Sequence, residues 1–146
     1  MNNNIFYNDK DDSVGFNLWQ VYNIWHRRIT KELNSIGLTH IQFVLLSVSQ
    51  WLNEKEEEVT QVQIAQFAKL DTMMTSTVLR TLEGKKLIIR KDHKKDTRAK
   101  CVEVLDEGKE KLVKALKIVE NVDREFFSIL GDDRSIFNNF LLDFKE

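Results

Sequence analysis

The chain of 146 residues contains no proline, five glycines and one cysteine. With so few breakers along its length, it is expected to be mostly helical. A single cysteine rules out an internal disulfide framework and fits a reducing cytoplasm. No stretch approaches the roughly 18 apolar residues of a membrane span, so no membrane association is expected. Residues 1–12 are rich in Asn and Asp and lack the basic flank and apolar centre of a secretory signal. A phosphate-cradling glycine loop, a G-x-S-x-G elbow and an H-E-x-x-H pair are all missing, which gives enzymatic chemistry no footing. His26, His40 and His93 are scattered one per element, with no partner cysteine and no metal-site spacing, so neither a metal nor another cofactor is expected. What remains is a globular chain, 42% hydrophobic and 31% charged, of a length that suits one domain.

The strongest pattern runs from Thr60 to Val104. Thr60-Gln61-Val62-Gln63 reads as a capping box, and Ile64, Ala65, Phe67 and Ala68 supply the apolar face of a short helix. Asp71-Thr72 starts a second helix, whose inward positions Thr75, Val78, Leu79 and Leu82 leave Met73, Met74, Ser76, Thr77, Arg80 and Thr81 facing out. Two short helices joined by a tight turn form a helix–turn–helix, with the second helix suited to the major groove of duplex DNA. Leu87-Ile88-Ile89-Arg90 and Ala99-Lys100-Cys101-Val102-Glu103-Val104 then read as two strands around a charged tip. Such a hairpin is the wing of a winged helix.

Charge is concentrated in the same place. Residues 80–100 carry nine Lys or Arg against three acids, a balance of +6 in a chain whose formal net charge is −1. A basic element on a nearly neutral chain points to a polyanion partner.

The rest is read as long helices. Residues 13–35 place Leu18, Tyr22, Trp25, Ile29 and Leu33 on one stripe, Gly37 breaks the helix, and Thr39 caps a second helix to about Asn53. Glu54 to Glu58 reads as a solvated acidic turn. Asp106 is expected to cap a helix to about Leu130, and a last helix follows the Gly131 turn. The terminal helices carry more apolar surface than a small DNA-reading core can cover. They are expected to pair with a second copy, giving a homodimer, rather than to fold back on their own domain. The expected fold is therefore mainly α with a small β-hairpin wing. It comprises a winged helix–turn–helix over about 39–105, flanked by dimerisation helices at about 13–36 and 106–146, all within a single domain spanning 1–146.

Three segments, in order, resemble the MarR family of bacterial transcriptional regulators. Gly37-Leu38-Thr39-His40-Ile41-Gln42-Phe43 is similar to its second-helix entry, Ile64 to Ile88 to its helix–turn–helix and exit, and Asp96-Thr97-Arg98-Ala99 through Val104-Leu105 and Gly108 to its wing. The resemblance implies a homodimer on a palindromic operator, most often a repressor, released in many members by a small aromatic or anionic effector. It matches the wing Arg to Arg98, directed at the minor groove, where a guanidinium suits the narrow negative cleft. It matches the wing Asp to Asp96, which would hold the tip or orient Arg98. Lys94 and Lys95 would meet phosphates. Thr72, Met73, Met74, Ser76, Thr77 and Arg80 are the candidate DNA-facing residues of the recognition helix, with Met73 and Met74 expected to pack on the neighbouring helix rather than to reach thymine methyls. Lys86 stands where the family has a glycine before the first strand, so the helix exit is expected to differ in shape.

Trp19, Tyr22, Asn23 and His26 share one side of the first helix, and Phe43 and Leu46 could face them. These six are a candidate effector site, against the plainer reading of dimer-interface core. Cys101 reads as a small strand residue, against a thiol activated by Lys100. Two rival functions stand beside the DNA-binding repressor: a winged helix that binds only protein, and a DNA-binding activator or architectural factor.

Overall fold

The computed structural model describes residues 10–145, so the reading of the first residues as lacking a secretory signal lies largely outside them. Six α-helices and one hairpin follow in the expected order: α1 (Val14–Asn34), α2 (His40–Asn53), α3 (Gln61–Ala68), α4 (Thr72–Gly84), β1 (Ile88–Asp92), β2 (Lys100–Val104), α5 (Asp106–Phe126) and α6 (Arg134–Asp143). No described helix is long and apolar enough to cross a membrane.

The caps explain where the helices begin. Thr39 and Gln42 form a reciprocal capping box at α2, as do Thr60 and Gln63 at α3, and the Asp71 carboxylate accepts from Met73 N at α4. At α5 the expectation fails. Leu105 holds the cap position without a side-chain bond, its N–H donating to Leu87 O, and Asp106 lies in the first turn, where a carboxylate complements the helix dipole. Helix α5 also ends earlier than expected: Phe127–Asp133 tighten into a 3-10 segment that turns at Gly131, whose φ is +51°.

One core joins the helix–turn–helix to the long helices. Leu45 and Leu46 of α2, Ile64 of α3, Leu79 and Leu82 of α4, Ile88 of β1 and Ile29 and Leu33 of α1 are all fully or almost fully buried in it. Helix α5 contributes Leu112, Ala115 and Val122, while Leu116 faces out. The N-terminal half of α1 and the whole of α6 bury nothing in this chain; Phe16, Leu18, Ile136, Phe140 and Phe144 stay exposed.

The exit from α4 keeps a left-handed turn without glycine. Lys86 itself adopts φ +61°, a conformation in which a Cβ is strained by about 1–2 kcal/mol. Lys86→Gly is therefore expected to raise stability by roughly 0.5–1 kcal/mol, the strain relieved being partly offset by the freer unfolded chain. Urea midpoints of the two proteins at equal concentration check this, and an unchanged or lower midpoint would show Lys86 to be unstrained.

Candidate nucleic-acid interface

The recognition helix is held from below. Thr75, Leu79 and Leu82 are buried, and the Thr75 hydroxyl donates to Asp71 O. On the opposite face Thr72, Met73, Met74, Thr77, Arg80 and Thr81 are exposed, and Ser76 is half-buried. Met73 is 78% and Met74 49% exposed, so both present side-chain surface on this open face. Thr77 and Thr81 donate their hydroxyls one turn back along their own helix, leaving their oxygens as acceptors. The Arg80 guanidinium has no hydrogen bond or ion pair among the described residues, so its donors are open.

The wing is fastened at its base and at its tip. Strands β1 and β2 pair antiparallel from Ile88 opposite Val104 to Asp92 opposite Lys100. The outer edge of β2 is also covered: Asn53 bonds Val102 O and Val104 N through its amide, and Val102 N donates to Val59 O. At the tip Asp96 Oδ1 accepts from Arg98 N at 3.1 Å and from Arg98 Nε at 3.2 Å. Asp96 thus aims a side chain that is 92% exposed, leaving the rest of the guanidinium to reach outward.

The acidic stretch before α3 is exposed from Glu54 to Glu57, as expected of a solvated turn, but Glu58 is half-buried and fastens the wing. Glu58 pairs with His93 Nε2 at 3.0 Å and accepts from Lys94 N, while Glu57 lies 3.5 Å from Lys94 Nζ. Lys91 pairs with Glu103 and Lys100 with Asp92. Folding thereby brings Glu103 to Lys91 and Glu57 to Lys94 from outside residues 80–100, and Glu58 to His93, which lowers the local positive charge. Two of the nine cations in that stretch are structural. Arg90 is bound to Glu83 and Gln61, and its hydrogen bonds hold the Glu83 carboxyl below the usual carboxylate range. Lys85 Nζ donates to Gly37 O and Gln42 Oε1. Among the described residues the ammonium groups of Lys86 and Lys95 carry no partner.

The six candidate effector residues do not come together. Tyr22 stacks on His26 with ring centroids 5.5 Å apart, but Trp19 is exposed, Asn23 donates to Trp19 O, and Phe43 and Leu46 are core residues. Leu46 is completely buried and presents no wall to a ligand in this arrangement. The partners of Tyr22 and His26 are instead Trp25 and His40: His26 Nδ1 lies 2.7 Å from His40 Nδ1, Trp25 meets His40 edge-on, and Trp25 Nε1 donates to Asp123 of α5. The three histidines are also not isolated. Beyond the His26–His40 pair, His93 lies with Glu58 and Cys101 at the tip end of the wing strands, so the reading that no cysteine stands near a histidine is corrected.

A profile of the MarR family matches residues 38–100, the stretch from the α2 entry to the start of β2. An uncharacterized HTH-type transcriptional regulator of Bacillus subtilis strain 168, YdcH, is 39% identical over 122 residues, covering 84% of this chain and 83% of its own. The chain belongs to the MarR family of transcriptional regulators. Solved structures of the same fold include the repressor CouR bound to a 23-mer DNA duplex, with a TM-score of 0.82 at 22% identity over 93% of this chain and 94% of that one. Another is Bordetella bronchiseptica BpsR, whose DNA binding is regulated by 6-hydroxynicotinic acid, with a TM-score of 0.82 at 18% identity over 94% and 96%. As a MarR-family chain this one keeps the winged-helix fold despite Lys86, because that residue takes up the left-handed backbone itself.

Proposed function

We propose that the protein is a homodimeric, sequence-specific DNA-binding repressor that reads a palindromic operator. Residues 39–105 form the DNA-reading core, and the helices of residues 13–36 and 106–146 pair the two copies. The carrying observation is the joint presentation of an open polar helix face, centred on Thr77 and Arg80, and an Arg98 aimed by Asp96 at a pinned wing tip. Thr72, Met73, Met74, Ser76, Thr77 and Arg80 would face base edges, Arg98 the minor groove, and Lys94 and Lys95 the phosphates. Met73 and Met74 suit thymine methyl groups, since they are exposed. The unpartnered apolar faces of α1 and α6 support pairing of two copies, whose two-fold axis matches a palindrome. Repression and release by a small aromatic or anionic effector are supported by CouR, a repressor, and by BpsR, regulated by an aromatic acid.

The test is a titration against a duplex from upstream of the protein's own gene, with excess unrelated competitor DNA, at two salt concentrations. Binding that survives competitor and weakens with salt is expected, since each neutralised phosphate releases counterion. Arg98→Ala should weaken that binding by roughly 1–3 kcal/mol, about 5- to 150-fold, the scale of one good groove contact. Unchanged affinity in a folded variant would remove the wing from the interface. An absence of binding at low salt would leave a winged helix that engages protein alone.

A further inference from the structure

Glu58, His93 and Cys101 come from three separate segments: the acidic stretch before α3, the turn just past β1 and the start of β2. Each offers one ligand atom, and the three atoms all lie within 4.8 Å of one another. All three residues are half-buried, so they are neither surface groups fully hydrated by solvent nor core groups cut off from it. We propose that Glu58, His93 and Cys101 form a transition-metal site at the tip end of the wing strands, fitted to Zn²⁺.

The donor set favours that ion. One thiolate sulfur, one imidazole nitrogen and one carboxylate oxygen suit borderline-soft Zn²⁺ and do not suit Mg²⁺ or Ca²⁺, which take oxygen. Three protein ligands leave a fourth tetrahedral position for water. A cleft beside Cys101, in whose lining Glu54, Glu56, Glu57, Glu58, Asp92 and Glu103 outnumber Lys91, Lys94 and Lys109, gives a cation a way in. Without a metal the arrangement is poor for Cys101. Burial first, and the Glu58 carboxylate second, push its thiol above the ordinary range. A divalent ion reverses that balance, and the thiol proton leaves to solvent as the Cys101 sulfur binds.

Coordination also acts on the wing tip. His93 Nδ1 accepts from Lys95 N at 3.1 Å and from Asp96 N at 3.0 Å. That pattern assigns the neutral ring a proton on Nε2, facing Glu58. A metal taking Nε2 requires the proton to move to Nδ1, where it opposes both backbone donors. Metal binding therefore releases the turn that carries Lys95 and Asp96 and, through Asp96, Arg98. That consequence for DNA rests on the repressor reading above; the metal site itself does not.

The test uses the full chain, stripped with chelator, and Co²⁺ as the spectroscopic stand-in for Zn²⁺. Co²⁺ is expected to bind one per chain with a near-ultraviolet thiolate-to-cobalt charge-transfer band, displaced by Zn²⁺. Cys101→Ser should lose the band, and Glu58→Gln should weaken Co²⁺ binding by about tenfold or more. Circular dichroism confirms that both variants fold. Zn²⁺ should also shift the amide resonances of Lys95 and Asp96. No band in the wild type, or the same band in Cys101→Ser, overturns the site; a band without the amide shifts overturns its link to the tip. Neither readout involves DNA, so the site and the DNA-binding reading fail separately.

Discussion

Gly108→Ala is expected to cost about 3 kcal/mol or more of folding stability, at or beyond the upper range for overpacking. A Cβ at this position would lie 2.1 Å from Leu87 O and 2.9 Å from Val104 Cγ1. The first of these is backbone, so no rotamer change relieves it. Leu87 O also accepts from Leu105 N at the start of α5, and moving that carbonyl breaks the joint between hairpin and helix. Either α5 lifts away or β1 shifts, and both open the core around Leu87, Val104 and Leu112. Urea unfolding gives the measurement. Gly84→Ala serves as the control, because a Cβ there meets nothing within 4 Å and replaces glycine near the end of α4. That change is expected to stabilise by roughly 0.5–1 kcal/mol. If Gly108→Ala costs no more than a few tenths, the close approach of α5 to the hairpin does not exist in solution.

Mild acid is expected to weaken the fold well before most carboxylates titrate. His40 is buried at the start of α2, and burial first, with the neighbouring His26 second, lowers its pKa from 6.5 to about 4. The unfolded chain therefore binds the His40 proton at a pH where the folded chain does not. Stability conferred by a depressed base is whole above pH 6.5, falls as pH drops below it, and is fully lost below about pH 4. A shift of this size predicts a loss of about 2 kcal/mol by pH 5 and about 3 kcal/mol by pH 4. Urea midpoints at constant ionic strength between pH 7 and 5 measure the slope, with His40→Asn as the variant that removes the group. A wild-type profile as flat as that of the variant would show that His40 is charged without penalty in the folded protein.

The helix starts were legible because they depend on neighbours in sequence. Thr39, Thr60 and Asp71 each bond a backbone N–H two or three residues on, which a short window captures. The wing was legible from the alternation that buries Val102 and Val104 and exposes Glu103. What stayed hidden depends on pairings across the chain. Leu105 takes the cap position of α5 because a carbonyl 18 residues earlier captures its N–H. Trp25 turns inward and Trp19 outward because Asp123, 98 residues away from Trp25, receives the indole N–H. Glu58 meets His93 and Cys101 only because Val59 is sewn to β2 through Val102. No periodicity in residues 54–58 announces that seam. Four glutamates around Lys55 read the same in a solvated turn.

The pairing of wing cations with carboxylates bears on the rates of binding as well as its strength. With Lys91, Lys94, Arg98 and Lys100 each beside an acid, the free wing looks like a set of small dipoles at distances beyond a Debye length of about 8 Å. Its pull on a distant polyanion is correspondingly weak. Only at contact do phosphates displace the carboxylates beside Lys91, Lys94 and Lys100 and their full cationic charge come into play. Under the DNA-binding reading, salt should therefore act chiefly on the lifetime of the bound complex and only mildly on the speed of encounter. A wing of this kind holds its partner at close quarters without drawing in every polyanion that diffuses past.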